Sequence, residues 1–128
     1  MVSFDGFFLT DKSPIYLQII RFVKQGIAAG VIGNQEEVPS RRALSALLGV
    51  NPNTVQKAFR MLEEEGILVS RLGAKSYTSV DKDTMHRIRR ELTLEETGRW
   101  VEAMRQLGVG EQEALKLAGE LWKKERDG

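Results

Sequence analysis

Apolar positions along the chain recur in two rhythms, one helical and one alternating. Over residues 14–30, Ile15, Ile19, Val23 and Ile27 repeat every fourth position, joined by Ile20 and Phe22. This spacing predicts a helix that buries one broad face. Ser13 stands as its N-cap, Pro14 at its first position and Gly30 at its left-handed end. A turn at Gly33-Asn34 leads to a short extended approach through Val38. Ser40 caps a second helix whose stripe is Ala43, Leu44, Leu47 and Leu48, and Gly49 closes it. Asn51 then caps a third helix beginning at Pro52, with Val55, Ala58, Phe59 and Leu62 facing inward and Gly66 at its end. Two helices about a short turn at Gly49 form a helix-turn-helix.

The rhythm then shortens to two. Ile67-Leu68-Val69 reads as a strand, Leu72-Gly73-Ala74 as a turn, and Ser76 to Val80 as the returning strand of a hairpin. Beyond Val80 the character changes, and residues 81–91 read as a basic-rich helix or connecting segment. Thr93-x-x-Glu96 has the form of a capping box that opens a helix carrying Trp100, Val101, Met104 and Leu107 on one side. Gly108 and Gly110 break it. Residues 111–126 form a last helix with Ala114, Leu115, Ala118, Leu121 and Trp122 on one face. Residues 1–13 read as a loose arm or a leading strand. The expected fold is therefore mainly α with a small β-hairpin: a winged helix-turn-helix over residues 1–80 and a helical region over 81–128.

Composition narrows the function. The 128 residues include no Cys and one His, which excludes a disulfide framework, thiolate metal sites, a Cys nucleophile and a His-rich metal site. No cofactor is expected. No run of about 18 apolar residues occurs, and the N-terminus lacks the basic start of a signal peptide, so a cytoplasmic location without membrane contact is expected.

The net charge of +1 hides a pattern. Residues 1–80 carry 9 basic and 7 acidic side chains, whereas residues 81–128 carry 10 and 11. From Pro39 to Leu62 there are Arg41, Arg42, Lys57 and Arg60 but no acid, and Gly66 to Val80 adds Arg71 and Lys75 without one. Two acid-free basic segments can converge on one phosphate-facing surface. The intervening Glu63-Glu64-Glu65 reads as solvated surface.

The third helix holds the candidate chemistry. Its first turn presents Asn51, Asn53 and Thr54, and its outward face presents Gln56, Lys57 and Arg60. Asn and Gln pair with adenine edges, Thr meets a thymine methyl, and Lys or Arg reaches guanine or phosphate. Such a helix enters the major groove by its N-terminal residues. Asn51 serves mainly as a cap. Arg41 and Arg42 oppose the dipole of the second helix, a placement suited to residues whose partner is a phosphate. Arg71 and Lys75 flank the glycine turn of the hairpin, and Tyr77 reads as part of the wing's core. Enzyme readings fail: His86 lacks an orienting partner, and Gly73-Ala74-Lys75-Ser76 lacks the upstream glycine of a phosphate loop, Leu68 standing there. Trp100, Met104 and Trp122 read as packing rather than as a ligand pocket.

These residues resemble the DNA-binding domain of the GntR family of bacterial transcription regulators over Pro14 to Val80. The resemblance runs through Pro14-Ile15-Tyr16-x-Gln18-Ile19, Val38-Pro39-Ser40-x-Arg42-x-Leu44, Leu48-Gly49-Val50, Asn53-Thr54-Val55, Leu62-x-x-x-Gly66-Ile67-Leu68 and Arg71-x-Gly73. The short tail is similar to that of the YtrA-like subgroup. Three departures stand out: Arg41 where the family commonly has an acid, Pro52 where it commonly has Arg or a similar polar residue, and Lys75 at the usual second wing glycine.

The resemblance implies a homodimeric repressor that binds double-stranded DNA at a pseudo-palindromic operator, in the subgroup often that of a transporter operon. Its DNA-facing set is Ser40, Arg41, Arg42, Asn51, Asn53, Thr54, Gln56, Lys57, Arg60, Arg71, Gly73 and Lys75. Its dimer interface is Trp100, Met104, Leu107, Leu115, Leu121 and Trp122, and the sequence identifies no small-molecule effector. The alternatives are a winged helix used only for protein contact, and a regulator fragment whose partner domain lies on another chain.

Overall fold

A computed structural model describes residues 1–71 and 75–127. It contains five helices and a three-stranded antiparallel sheet among the described residues: α1 (Ile15–Ala28), β1 (Glu37–Val38), α2 (Arg41–Leu48), α3 (Pro52–Glu64), β2 (Leu68–Arg71), β3 (Lys75–Thr78), α4 (Lys82–Gln106) and α5 (Glu111–Asp127). Two compact units result, Met1–Leu92 and the residues from Thr93 onward.

In the first unit, the apolar faces of α1 and α3 meet around Ile19, Val23, Ile27, Val55, Phe59 and Leu62, and Leu44 of α2 closes the cluster. The helix ends follow their capping chemistry. Ser40 Oγ accepts from the Ala43 N–H at 3.0 Å, and Asn51 Oδ1 accepts from the Asn53 N–H at 2.8 Å. Gly49, at φ +67°, ends α2 in the left-handed conformation that costs glycine nothing. The α2 stripe is rotated from expectation: Leu44 and Ser45 are buried while Ala43 and Leu47 are exposed. Ser45 belongs inside because its hydroxyl donates to the Val50 carbonyl at 2.6 Å, tying together the turn between α2 and α3. At α1, Pro14 rather than Ser13 is the capping position; its extended ψ of 142° keeps it outside the helix while its carbonyl accepts from Leu17 and Gln18.

The hairpin pairs Leu68 with Thr78 and Arg71 with Lys75. The approach through Val38 becomes a third strand, giving the order β1-β3-β2.

The arm over residues 1–13 is not loose. Val2 and Phe4 are buried, and the Val2 N–H donates to the Glu37 carbonyl at 2.8 Å. Phe4 stacks on Phe22 at 5.1 Å, and Phe7 meets the same ring edge-on at 5.2 Å. The Gln18 amide completes the attachment: its Oε1 accepts from the Thr10 N–H, and its Nε2 donates to the Thr10 and Ser13 carbonyls.

The break expected at Thr93 is absent, because α4 runs unbroken from Lys82 to Gln106. A capping box needs a non-helical residue at its head, and the good helix formers before Thr93 carry the helix straight through it. The start lies at Asp81, whose carboxylate accepts from the Thr84 N–H at 2.7 Å. That bond, reinforced by the Thr84 hydroxyl, holds the Asp81 carboxyl below its ordinary value. Ile88 and Leu92 are buried in the core of the first unit, so its packing extends twelve residues past Val80.

The second unit holds the last turns of α4, a left-handed turn at Gly108 (φ +75°) and α5. Ala114 is buried there, and Trp100 and Met104 are half-buried. Leu107, Leu115, Leu121 and Trp122 stand exposed.

Candidate nucleic-acid interface

One turn of α3 brings residues three and four apart onto the same side. Asn53, Gln56, Lys57 and Arg60 lie at i, i+3, i+4 and i+7, and all four are exposed. Val55, Ala58, Phe59 and Leu62 fill the opposite side, each fully buried. The outward strip therefore cannot rotate inward without emptying the core. It offers two amides, an ammonium and a guanidinium, with the half-buried Thr54 beside them. Chemically this is a set able to pair with base edges and phosphates.

The caps leave donors over. Ser40 Oγ and Asn51 Oδ1 accept backbone N–H groups, so the Ser40 hydroxyl proton and the Asn51 amide N–H groups remain to donate outward.

The basic side chains divide by what they touch. Arg42 and Arg60 are exposed and carry no charge partner among the described residues. The Lys57 ammonium sits 4.0 Å from the centre of the Tyr16 ring, a cation–π contact that leans it against α1. Lys75 pairs with Glu37 across the sheet at 3.5 Å. Arg71 donates through Nη2 to Gln35 Oε1 and lies 4.8 Å over the Tyr77 ring. Gly73 lies outside the described residues.

Arg41 differs from the free cation expected of it. Its Nη2 donates to Glu63 Oε1 at 2.6 Å, its guanidinium lies 5.2 Å over Phe59, and its Nε is buried without a partner. The extra positive charge of this chain is thus engaged as a strap between the start of α2 and the end of α3.

The Glu63-Glu64-Glu65 cluster is likewise not mere solvated surface. Glu63 takes Arg41, and Glu65 takes the buried Lys24 of α1 at 3.0 Å, with Glu91 of α4 reaching the same ammonium at 3.4 Å. Tyr16, Lys24, Glu63 and Gln35 were all missed from sequence. Their partners lie 22 to 67 residues distant or on another element, which leaves no local spacing to read. The six apolar residues assigned to a dimer interface share the second unit, where Trp100, Met104 and Leu115 line one open cleft. No group of metal-ligating side chains occurs among the described residues, and no described helix is long and apolar enough to cross a membrane.

Three helices with a wing, a polar strip on the outward face of the third and the exposed Arg42 at the start of the second define a winged helix-turn-helix of the DNA-binding kind. A family model for bacterial regulatory proteins of the gntR family matches residues 15–77. The chain is 39% identical over 74 residues to the HTH-type transcriptional repressor YtrA of Bacillus subtilis (strain 168), covering 58% of this chain and 57% of that one. It is 30% identical over 117 residues to the uncharacterized HTH-type transcriptional regulator YhcF of the same organism, covering 88% of this chain and 92% of that one. A solved GntR family transcriptional regulator from Listeria monocytogenes superposes with a TM-score of 0.79 at 27% identity, covering 88% of this chain and 98% of that one. The chain belongs to the GntR family of bacterial regulatory proteins, with a YtrA-like helical region after its wing. That family is a class of DNA-binding transcription regulators and not of enzymes.

Proposed function

We propose that the chain is a homodimeric repressor that binds a pseudo-palindromic operator in double-stranded DNA, with α3 of each protomer in successive major grooves. The carrying observation is the exposed strip Asn53-Gln56-Lys57-Arg60 over a fully buried opposite face. Asn53, Thr54 and Gln56 read bases, Lys57 and Arg60 reach guanine or phosphate, and Arg42 anchors a phosphate at the start of α2. Ser40 and Asn51 add donors to the backbone, while Arg71, Gly73 and Lys75 follow the strand from the wing. Arg41 serves this surface indirectly by fixing α2 on α3.

Residues 1–80 supply the DNA contacts and residues 81–128 the dimer contacts. Leu107, Leu115, Leu121 and Trp122 expose apolar surface that a second copy would cover, together with the half-buried Trp100 and Met104 that share a cleft with Leu115. The resemblance to the YtrA-like subgroup suggests a transporter operon as the target. Selection of bound duplexes from a random pool tests the reading, with sedimentation of Leu121→Glu/Trp122→Glu as the companion measurement. A recovered two-fold motif and a dimer that the double substitution dissociates are expected. No enrichment would leave a winged helix used for protein contact, and an intact dimer would remove the proposed interface.

A further inference from the structure

Gln35 has φ +58°, the one positive value at a non-glycine position among the described residues. That region crowds Cβ against the backbone, so a glycine would hold the same turn at lower cost. The conformation is enforced from outside. The Gln35 N–H donates to the Thr78 carbonyl at 3.0 Å, and the Glu36 N–H donates to Thr78 Oγ1 at 2.9 Å. The Thr78 hydroxyl in turn donates to the Gly33 carbonyl at 2.7 Å, and the Thr78 N–H donates to the Glu36 carbonyl at 2.9 Å. Thr78 is fully buried, and four hydrogen bonds to this one residue tie the turn to β3.

The turn is thus fixed by backbone bonds that glycine could make as well. What Gln35 adds is its side chain, whose Oε1 accepts from Arg71 Nη2. The Tyr77 ring lies under the same guanidinium at 4.8 Å, so one edge and one face of Arg71 are held. Both Gln35 and Arg71 are exposed, and a contact between exposed groups returns little stability for the strained backbone. Strain kept where burial does not reward it points to function. The chemistry of the amide agrees: it accepts one N–H, leaves the other four donors of Arg71 free, and removes no charge. A carboxylate there would hold the same edge but cancel the cation.

We propose that Gln35 is a positioning residue for the wing, holding Arg71 in the orientation in which it meets the DNA backbone. The proposal rests on the DNA-binding reading above. Ordering a long side chain before binding removes an entropic cost that binding would otherwise carry.

The test uses the full chain and a duplex that the unaltered chain selects from a random pool. Gln35→Gly keeps the turn and relieves its strain, so the unfolding temperature holds or rises. Duplex binding nevertheless weakens by about three- to tenfold, as an unheld Arg side chain requires. Arg71→Ala weakens binding at least as much, and the double variant binds no more weakly than Arg71→Ala alone. A Gln35→Gly chain that binds as tightly as the unaltered one, while Arg42→Ala binds poorly, overturns the positioning role and leaves DNA binding intact. Losses that multiply in the double variant overturn it equally. Recovery of no duplex overturns the DNA-binding reading and the proposal with it.

Discussion

Replacing Arg41 and Arg42 one at a time separates a strap from a contact. The two are neighbours in the first turn of α2, carry the same charge, and differ in what they touch. Arg41 lies 2.6 Å from a Glu63 oxygen, with the two side chains 28% and 32% exposed. At an effective dielectric of about 20, that separation is worth roughly 6 kcal/mol of bare attraction. Desolvation and the ordering of two long side chains offset most of it, leaving about 1 kcal/mol. The Phe59 contact adds roughly 0.5–1 kcal/mol. Loss of the partnerless Nε returns a fraction, so Arg41→Ala should destabilise folding by about 1–2 kcal/mol and lower the unfolding temperature by roughly 5–15 °C. Its effect on duplex affinity at fixed salt should stay within about twofold. Arg42→Ala should do the reverse: no change in unfolding temperature, and binding weaker by about 1–3 kcal/mol with a flatter salt slope. Thermal unfolding and duplex titration on the same preparations read both quantities. If Arg41→Ala costs as much affinity as Arg42→Ala and leaves stability unchanged, the strap is refuted.

Other outcomes follow from the packing of α4. Ile88 is fully buried, so Ile88→Ala should cost about 2–5 kcal/mol by denaturant unfolding with an unchanged slope, and less than about 1 kcal/mol would mean α4 is not docked. A chain cut after Val80 loses Ile88 and Leu92 from its core and should unfold readily, whereas one cut after Leu92 should remain folded; equal stability of the two would contradict the unit boundary. The Asp81 carboxyl titrates below its ordinary 3.8, so its contribution to α4 is present above that pH and lost as pH falls through the folded value. The stability difference between Asp81→Ala and the unaltered chain should therefore shrink on acidification below 3.8, and a difference constant with pH would exclude the cap.

The helix-turn-helix was readable because its signals are local and agree with one another. Caps at Ser40 and Asn51, the glycine at 49 and the inward set of α3 lie within a few residues of the elements they define. The outward strip of α3 followed from that inward set by periodicity alone. What escaped has another physical character. Val2 and Phe4 are buried by a partner on α1 and a strand two residues long, neither of which leaves a period in the sequence. The Thr93 capping box is a local signal overridden by the residues before it. Arg41 and the glutamates were misread because charge tallied along the chain says nothing of pairing across 22 or 41 residues. Of the candidate site, the exposed amides and the exposed Arg42 and Arg60 were legible, whereas the contacts of Arg41, Lys57, Arg71 and Lys75 were not.

The first residues of the arm lie along β1, which pairs with β3 on one side only. The Val2 N–H occupies the Glu37 carbonyl, so part of the outer rim of the sheet is already taken. Unpaired strand rims recruit strands from other molecules, and proteins cap or charge them to prevent it. Removal of residues 1–13 would uncover that rim together with the Phe22 ring. The resulting chain would lose Val2 and Phe4 from its core and would also be sticky, clumping at concentrations where the intact protein stays dispersed.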